Sequence, residues 1–412
     1  MNEFRKIEEQ ETPPITAWSP LTIKAFRAMW IVWLASNIGM WMNDVTSAWL
    51  MTSLTPSPMM VALVQSALTL PIFLFGLPSG TLADRLDRRT YALLTQLWTG
   101  LIGFAMTACL LAGMMSPGLL LGFTFLNGLG FAMRWPIYAS IVPQLVPRTQ
   151  LPGALALNSI AFNASRILGP GLAGAIIAAQ GMTAVFALNA VVSLLMIPFI
   201  LRWPPLRHPD SEPRDGFVSS MSVGARHVRG NSAMRAVLLR IFIFFFHSAA
   251  LVSLLPVLAR QLSSGEANEF TLMLASMGAG AILAAMLIPH LRRHLTADQM
   301  LVYGGLLHAL ATVAAGYAPS AHIAIPALVL CGMAWLTLSN VVTLAAQLAL
   351  PDWVRARGMA FYMMAIMGSA ALGAAVWGQV ANVTSVQAAF LISLSSAVIS
   401  LMIFRQVRIG PL

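Results

Sequence analysis

The sequence predicts an all-α membrane protein with twelve transmembrane helices in two pseudo-symmetric six-helix halves. Three observations carry this prediction: the excess of apolar residues, the placement of lysine and arginine, and an internal repeat. Of the 412 residues, 58% are hydrophobic and only 9% are charged, whereas soluble domains have an apolar share of roughly 45–50%. Most of the surface therefore cannot face water.

Apolar runs of about 20 residues, long enough to cross a bilayer core of about 30 Å, recur along the chain. They predict twelve spans, which begin near residues 28, 59, 91, 118, 153, 182, 236, 270, 298, 323, 357 and 386. The runs are too long for a membrane barrel, whose strands are about ten residues of alternating polarity. The first 27 residues are polar and partly acidic, which is unlike a cleavable signal peptide.

Lysine and arginine lie almost entirely on one side of the predicted membrane. With the N-terminus in the cytoplasm, all but three of the 24 lysines and arginines lie in inner tails and loops; the exceptions are Arg134 and Arg166, inside spans, and Arg260, in an outer loop. This asymmetry follows the positive-inside rule and predicts that both termini are cytoplasmic. Topology thus explains the net charge of +10, and we expect no nucleic-acid partner.

The two predicted halves repeat with a single offset. The segment "NGLGFAMRW" aligns Gly128 with Gly332, and "LGPGLAG" aligns Gly169 with Gly373, both pairs being 204 residues apart. Such a repeat predicts two parallel bundles with a site between them near mid-membrane. The predicted parts are an N-terminal tail (1–27), a first bundle (28–202), a cytoplasmic linker (203–235), a second bundle (236–404) and a C-terminal tail (405–412). The linker is either an amphipathic helix on the membrane surface or a plain connector.

Charge gathers in "GTLADRLDRRT", residues 80–90, between spans 2 and 3 on the cytoplasmic side. This stretch resembles the signature loop of the major facilitator superfamily, although Asp87 stands where that family usually has glycine. The resemblance implies a latch that holds the inner side shut in one state, with a carboxylate at the N-terminus of helix 11. A solvated loop is the alternative. The latch residues are Gly80, Asp84, Arg85, Arg88 and Arg89.

Several segments, among them "ADRLDRR" and "RILGPGLAGAII", are similar to the branch of this superfamily that contains the enterobactin exporter and macrolide efflux proteins. The similarity covers most of the first half. It implies a monomeric, multi-pass transporter of the bacterial inner membrane, without cofactor or metal. Gly169, Pro170 and Gly174 resemble the helix 5 antiporter-type motif, which the superfamily associates with export and with sealing the bundle interface.

Asp44 is the one acidic residue well inside a predicted span. A charge there is costly and marks a candidate functional site. Asn37, Trp41 and Asp44 share one helix face. Asp44 is therefore a candidate for proton coupling or substrate contact; a static ion pair and a solvated position near the outer end are the alternatives. Arg166 is the expected partner, because the two residues are predicted to differ in depth by about 5 Å at 1.5 Å per residue.

Further polar residues inside the spans complete a predicted substrate cavity. Arg134 is expected to meet an anionic substrate group or line the inner gate, or else to snorkel to the interface. His247 and His308 are expected to be packed or pore-lining rather than proton carriers. The predicted cavity residues are Asn37, Trp41, Asn127, Arg134, Asn158 and Asn340.

The sequence contains no Walker-type phosphate loop, hydrolytic triad or metal-ligand spacing, which favours a secondary transporter over an enzyme or an ATP-driven pump. We expect proton-coupled export, by alternating access, of a small amphipathic organic compound such as a drug or siderophore. The direction is implied mainly by the family resemblance, since the residues also permit uptake. A lysolipid or lipid flippase on the same scaffold and a non-transporting membrane sensor are the alternatives.

Overall fold

A computed structural model of the protein describes residues 16, 18–202, 217–262, 267–404 and 406–407. The first half contains α1 (Lys24–Leu54), α2 (Pro58–Arg85), α3 (Arg88–Leu111), α4 (Pro117–Leu145), α5 (Leu151–Gln180) and a sixth span formed by α6 (Met182–Leu195) and α7 (Ile197–Leu201). A linker helix, α8 (Phe217–Gly230), follows. The second half contains α9 (Ser232–Leu262), α10 (Ala267–His294), α11 (Ala297–Gly316), α12 (Ala321–Leu348), α13 (Asp352–Val383) and α14 (Val386–Ile403).

Ten helices of the described part are long and apolar enough to cross a membrane. The other two long helices, α1 and α4, carry the charged residues Asp44 and Arg134 among their apolar residues. Serine side chains cap the outer starts of α4 and α12: Ser116 accepts from the Leu119 N–H and Ser320 from the Ile323 N–H. Such caps satisfy backbone donors that a helix start leaves free. The predicted all-helical membrane fold is confirmed.

The repeated glycines of the two halves lie at equivalent helix contacts. Gly128 packs α4 against α2, and its counterpart Gly332 packs α12 against α10. Gly169 packs α5 against α1, and Gly373 packs α13 against α9. A β-carbon at any of these four positions would overlap an atom of the facing helix. The repeat in the sequence is therefore also a repeat of close helix packing.

The two halves share their apolar core on the side that the sequence predicts to be outer. Their main contacts run between α2 and α13 and between α5 and α10. Near the outer surface they share one apolar cluster, in which Trp49 stacks on Phe270 with ring centroids 5.4 Å apart. Arg260 of α9 also donates a hydrogen bond to the Thr52 carbonyl of α1. Among the described residues, the apolar clusters toward the predicted inner side each belong to a single half.

The linker helix α8 is docked on the inner end of α13. Gly224 lies against Arg357, and the His227 ring meets the Trp353 ring edge-on at 5.3 Å. Val228 is buried in the inner cluster of the second half. The predicted linker thus contains a helix that belongs to the second half, while residues 203–216 lie outside the described residues.

Candidate functional site: polar residues at the junction of the two halves

Asp44 lies about two-thirds of the way along α1 toward the outer side. The side chain is half-buried, and it makes no hydrogen bond or ion pair with any residue in the described part of the chain. A carboxyl group at this depth without a fixed partner is available to exchange a proton or to meet a ligand. The structure therefore leaves the proposed coupling role of Asp44 open, and the static ion pair is not present.

Arg166 bridges the two halves through an aromatic contact. Its guanidinium carbon lies 3.7 Å from the centroid of the Trp335 ring, on α12 of the second half, and 5.8 Å from that of Trp41. A guanidinium stacked on a ring keeps its N–H donors in its own plane, and Arg166 uses none of them on a described residue. The cation–π contact is thus a mid-membrane link between α5 and α12.

The structure places Asp44 and Arg166 farther apart in depth than the sequence predicts. Gly169 packs directly on Trp41, which sets the height of α5 relative to α1. Asp44 lies nearly one turn above Trp41, whereas Arg166 lies nearly one turn below Gly169, so they differ by about 9 Å in depth at 1.5 Å per residue. The difference in depth of about 5 Å that the sequence predicted for Asp44 and Arg166 was wrong, because it depended on predicted helix starts rather than on this contact.

Arg134 is enclosed within the first half. Only 4% of the residue is exposed, and its Nε atom is buried with no hydrogen-bond partner in the part of the chain that the structure describes. Its guanidinium lies 5.7 Å from the Phe131 ring. One turn further along α4, Tyr138 packs on Trp33 with ring centroids 4.5 Å apart. Arg134 therefore does not snorkel to the interface, and a substrate would reach it only after the first half rearranges.

Two of the predicted cavity asparagines point into the first half. Asn37 is fully buried and donates to the carbonyl oxygen of Trp33, one turn back along α1. The Asn127 amide lies 3.5 Å from the sulfur of Met106 on α3. Neither side chain is presented to the second half in this conformation, so their role in a cavity stays a prediction.

The other two asparagines lie apart from each other. The Asn158 side-chain oxygen, on α5, is buried and has no hydrogen-bond partner among the described residues. Asn340 is exposed near the inner end of α12, where its side-chain oxygen accepts a hydrogen bond of 2.8 Å from Arg292. Of the predicted cavity set, only Trp41 meets Arg166 directly. Trp335 was missed, because a single tryptophan in an apolar span carries no distinguishing pattern.

The predicted cytoplasmic latch is described only in part. The side chains of Gly80, Asp84 and Arg85 lie outside the described residues. Arg88 is buried at the start of α3, and Arg89 donates to the carbonyl oxygen at the end of α7. The latch itself stays a prediction.

Asp87, the residue that departs from the superfamily signature, caps α3. Its carboxylate accepts hydrogen bonds from the N–H and the hydroxyl of Thr90, at 2.8 and 2.9 Å. Carboxylates are favoured at helix N-termini because they satisfy free backbone donors and oppose the positive end of the helix dipole. The departure therefore has a structural reason.

The glycines of the helix 5 motif lie at two different helix contacts. Gly169 packs on Trp41 of the same half, and Gly174 packs on Thr271 of α10 in the second half. Pro170, inside the helix, is buried between them. The motif therefore positions α5 against both halves, close to the shared outer cluster.

Two helical bundles with repeated packing, joined at the outer side and linked by charged and aromatic side chains at mid-membrane, define a membrane transporter of the major facilitator fold. The chain belongs to the family described as "Transmembrane secretion effector", which matches residues 15–412. The resemblance to this branch of the superfamily is confirmed.

Relatives and a solved structure agree with this assignment. Enterobactin exporter EntS of Shigella boydii serotype 18 is 27% identical over 64% of this chain and 63% of its own length. Macrolide efflux protein A of Streptococcus pyogenes is 23% identical over 58% of this chain and 59% of its own length. The aligned region thus spans less than two thirds of either relative. The inward-open xylose transporter XylE from E. coli is 13% identical, with a TM-score of 0.68 over 92% of this chain and 96% of that one, which shows a shared fold.

Proposed function

We propose that this protein is a secondary transporter of the bacterial inner membrane, with both termini in the cytoplasm. It exports a small amphipathic organic compound, such as a drug or siderophore, in exchange for protons by alternating access. The enterobactin exporter and the macrolide efflux protein among its relatives support this substrate range and direction.

The observation that carries the proposal is the position of Asp44 inside the membrane span α1, about 9 Å in depth above the link between the halves. Its carboxyl group has no partner among the described residues and lies about two helical turns above Arg166, which stacks on Trp335 of the other half. Protonation of Asp44 changes the charge within the same part of the membrane as this contact, and an electrostatic change near a junction shifts the balance between its two arrangements. A proton on Asp44 therefore biases which side of the protein is open.

The test measures export in vesicles at several proton gradients, with a macrolide and a catechol siderophore as probes. We expect the wild-type rate to rise with the gradient, and the Asp44→Asn rate to be independent of it while substrate exchange without a gradient persists. Asp87→Asn is the matched control, because asparagine also caps a helix. An Asp44→Asn variant that keeps the gradient dependence of the wild type contradicts the coupling role.

The alternatives predict different results in the same vesicles. A flippase moves fluorescent lysolipid between leaflets, whether or not the two soluble probes are exported. A sensor moves none of the three compounds at any gradient. Export of either soluble probe, with no lysolipid movement, supports the proposed function over both.

A further inference from the structure

Arg134, Arg166 and Arg240 all lie within long helices, but they differ in how accessible their nitrogen atoms are. The Nε atom of Arg134 and the Nη1 atom of Arg240 are buried with no hydrogen-bond partner among the described residues. The other two nitrogens of Arg240 donate to the carbonyl oxygens of Phe404 and Val407, beyond the inner end of α14. The nitrogens of Arg166 also have no partner in the described part of the chain, but none of them is buried. Arg166 therefore carries free donors that a ligand can reach.

The structure exchanges the roles that the sequence predicts for two of these arginines. Arg134 was expected to meet an anionic substrate group, and Arg166 was expected to pair with Asp44. Instead, Arg134 is only 4% exposed, whereas Arg166 is half-buried and makes no ion pair with a described residue. Arg166 and Asp44 also differ by about 9 Å in depth. Arg166 is thus the better placed of the two arginines to meet a ligand in this conformation.

Aromatic rings from both halves surround the Arg166 guanidinium. The Trp335 ring lies 3.7 Å from the guanidinium carbon, and Phe245 meets Trp335 edge-on with ring centroids 5.8 Å apart. On the side of the first half, Trp41 lies 5.8 Å from the same carbon, and Phe162 meets Trp41 at 6.3 Å, also edge-on. A ring stacked on a guanidinium leaves the N–H groups at its edge free. A group bound at that edge therefore has aromatic side chains beside it, which suit a planar ligand.

The polar groups around Arg166 favour an anion as this ligand. The indole N–H of Trp41 is a donor only, and it is buried without an acceptor among the described residues. Asp44, the one acidic residue well inside a predicted span, makes no contact with Arg166. A guanidinium inside the membrane is costly without a partner. A carboxylate satisfies it best, because its two oxygens accept two parallel N–H bonds from the planar group.

We propose that Arg166 binds the anionic group of the transported compound, while Trp41 and Trp335 hold a planar, aromatic part of the same compound. The ligand class is an aromatic organic acid. This inference rests on the proposed function in one respect, namely that the ligand is the exported compound. It narrows the proposed range from amphipathic compounds in general to amphipathic anions, because a compound whose only charge is an ammonium group is repelled by Arg166.

The first test is ligand binding to the full-length protein in nanodiscs of zwitterionic lipid, measured by isothermal titration calorimetry without a proton gradient. The probes are 1-naphthoate, 1-naphthamide and 1-naphthylmethylammonium, which share one ring system and differ in charge. Because a hydrogen bond to a charged group contributes about 1.5–3 kcal/mol, we expect 1-naphthoate to bind at least roughly tenfold more tightly than 1-naphthamide. We expect the ammonium compound to bind most weakly. Equal binding of naphthoate and naphthamide, or tightest binding of the ammonium compound, overturns the proposal.

Variants of the arginine separate its charge from its shape. Arg166→Gln is expected to lower naphthoate binding to the level of naphthamide and to leave naphthamide binding unchanged. Arg293→Gln, at an exposed arginine near the inner end of α10, is the matched control and retains the preference. An unchanged preference in Arg166→Gln, or its loss in Arg293→Gln as well, contradicts a site at Arg166.

Arg166→Lys provides a second measurement if the glutamine variant does not fold. Lysine keeps the charge but binds a carboxylate as a point charge rather than through two parallel bonds. We therefore expect a preference for naphthoate that is smaller than that of the wild type. A preference as large as that of the wild type contradicts the two-bond contact.

The vesicle export assay distinguishes a failure of this inference from a failure of the proposed function. If the macrolide, a cation at neutral pH, is exported and the acidic catechol siderophore is not, while naphthoate shows no preference, the protein is an exporter and the anion site is wrong. If naphthoate binds with the expected preference, and Arg166→Gln removes it, but neither export probe is moved, the anion site is supported and the proposed export is wrong.

Discussion

The contact between Arg166 and Trp335 is expected to help set the balance between the two orientations of the halves. The guanidinium lies 3.7 Å from the ring centroid and joins α5 to α12. The proposed alternating access moves these helices relative to each other, so we expect the contact to stabilise one orientation more than the other. Trp335→Leu removes the ring and preserves an apolar side chain of helix-favouring type.

The size of the effect follows from the burial of the contact. Cation–π contacts contribute about 0.5–1 kcal/mol at exposed sites and about 2 kcal/mol when desolvated. Arg166 is half-buried, so we expect about 1–2 kcal/mol, which corresponds to a roughly 5- to 30-fold change in the ratio of inward-open to outward-open protein. Trp335→Phe retains a weaker ring and is expected to give an intermediate change.

The assay measures distances between spin labels by pulsed electron paramagnetic resonance in lipid nanodiscs. Labels attached to cysteines at Leu155 of α5 and Met286 of α10, both exposed positions toward the inner side, report how far apart the inner ends are. We expect Trp335→Leu to increase the short-distance, inward-closed fraction. Trp353→Leu, which removes an exposed tryptophan of the same half, is the control. An unchanged distance distribution in Trp335→Leu would refute the reasoning.

Two further changes test the outer closure and the cap of α3. Gly174→Leu collides with Thr271 and is expected to open the outer side, whereas Gly171→Leu, which faces open space, leaves the label distances unchanged; identical distances in both variants would contradict the closure. Asp87→Ala removes the acceptor for the Thr90 N–H and is expected to destabilise the protein by about 1 kcal/mol, measured as a lower thermal midpoint in detergent. Asp87→Ser should restore most of the lost stability, because serine also caps a helix. An unshifted thermal midpoint in Asp87→Ala would argue against the cap.

The sequence predicts the fold well because the signals it uses are local or repeated. Apolar runs indicate spans, the lysine and arginine asymmetry indicates topology, and the 204-residue offset identifies glycines that the structure places at equivalent contacts. Helix starts differ from prediction by a few residues, for example Lys24 rather than 28 for α1 and Asp352 rather than 357 for α13. The ends extend further because polar and charged residues also continue a helix beyond the apolar core.

The candidate site was predicted less well, and the reason is geometric. Asp44 and Arg166 are recognisable as charges inside apolar spans, but their relative height depends on how Gly169 packs on Trp41. Asn127 is polar and at the right depth, yet the rotation of α4 points it at α3. A uniformly apolar helix contains little periodicity from which its rotation can be read.

By itself, the sequence determined that this chain is a two-part helical membrane transporter and predicted that most of its lysines and arginines are cytoplasmic, because bilayer thickness and charge asymmetry act on each segment separately. Only the tertiary structure decided which side chains meet: Arg166 with Trp335 instead of Asp44, and Arg240 with the end of α14. The partner of a side chain on a neighbouring helix depends on the register and rotation of the two helix surfaces, which are in contact in the fold but far apart in the sequence. One residue of register moves a side chain by about 1.5 Å and 100° around the helix, enough to exchange one partner for another.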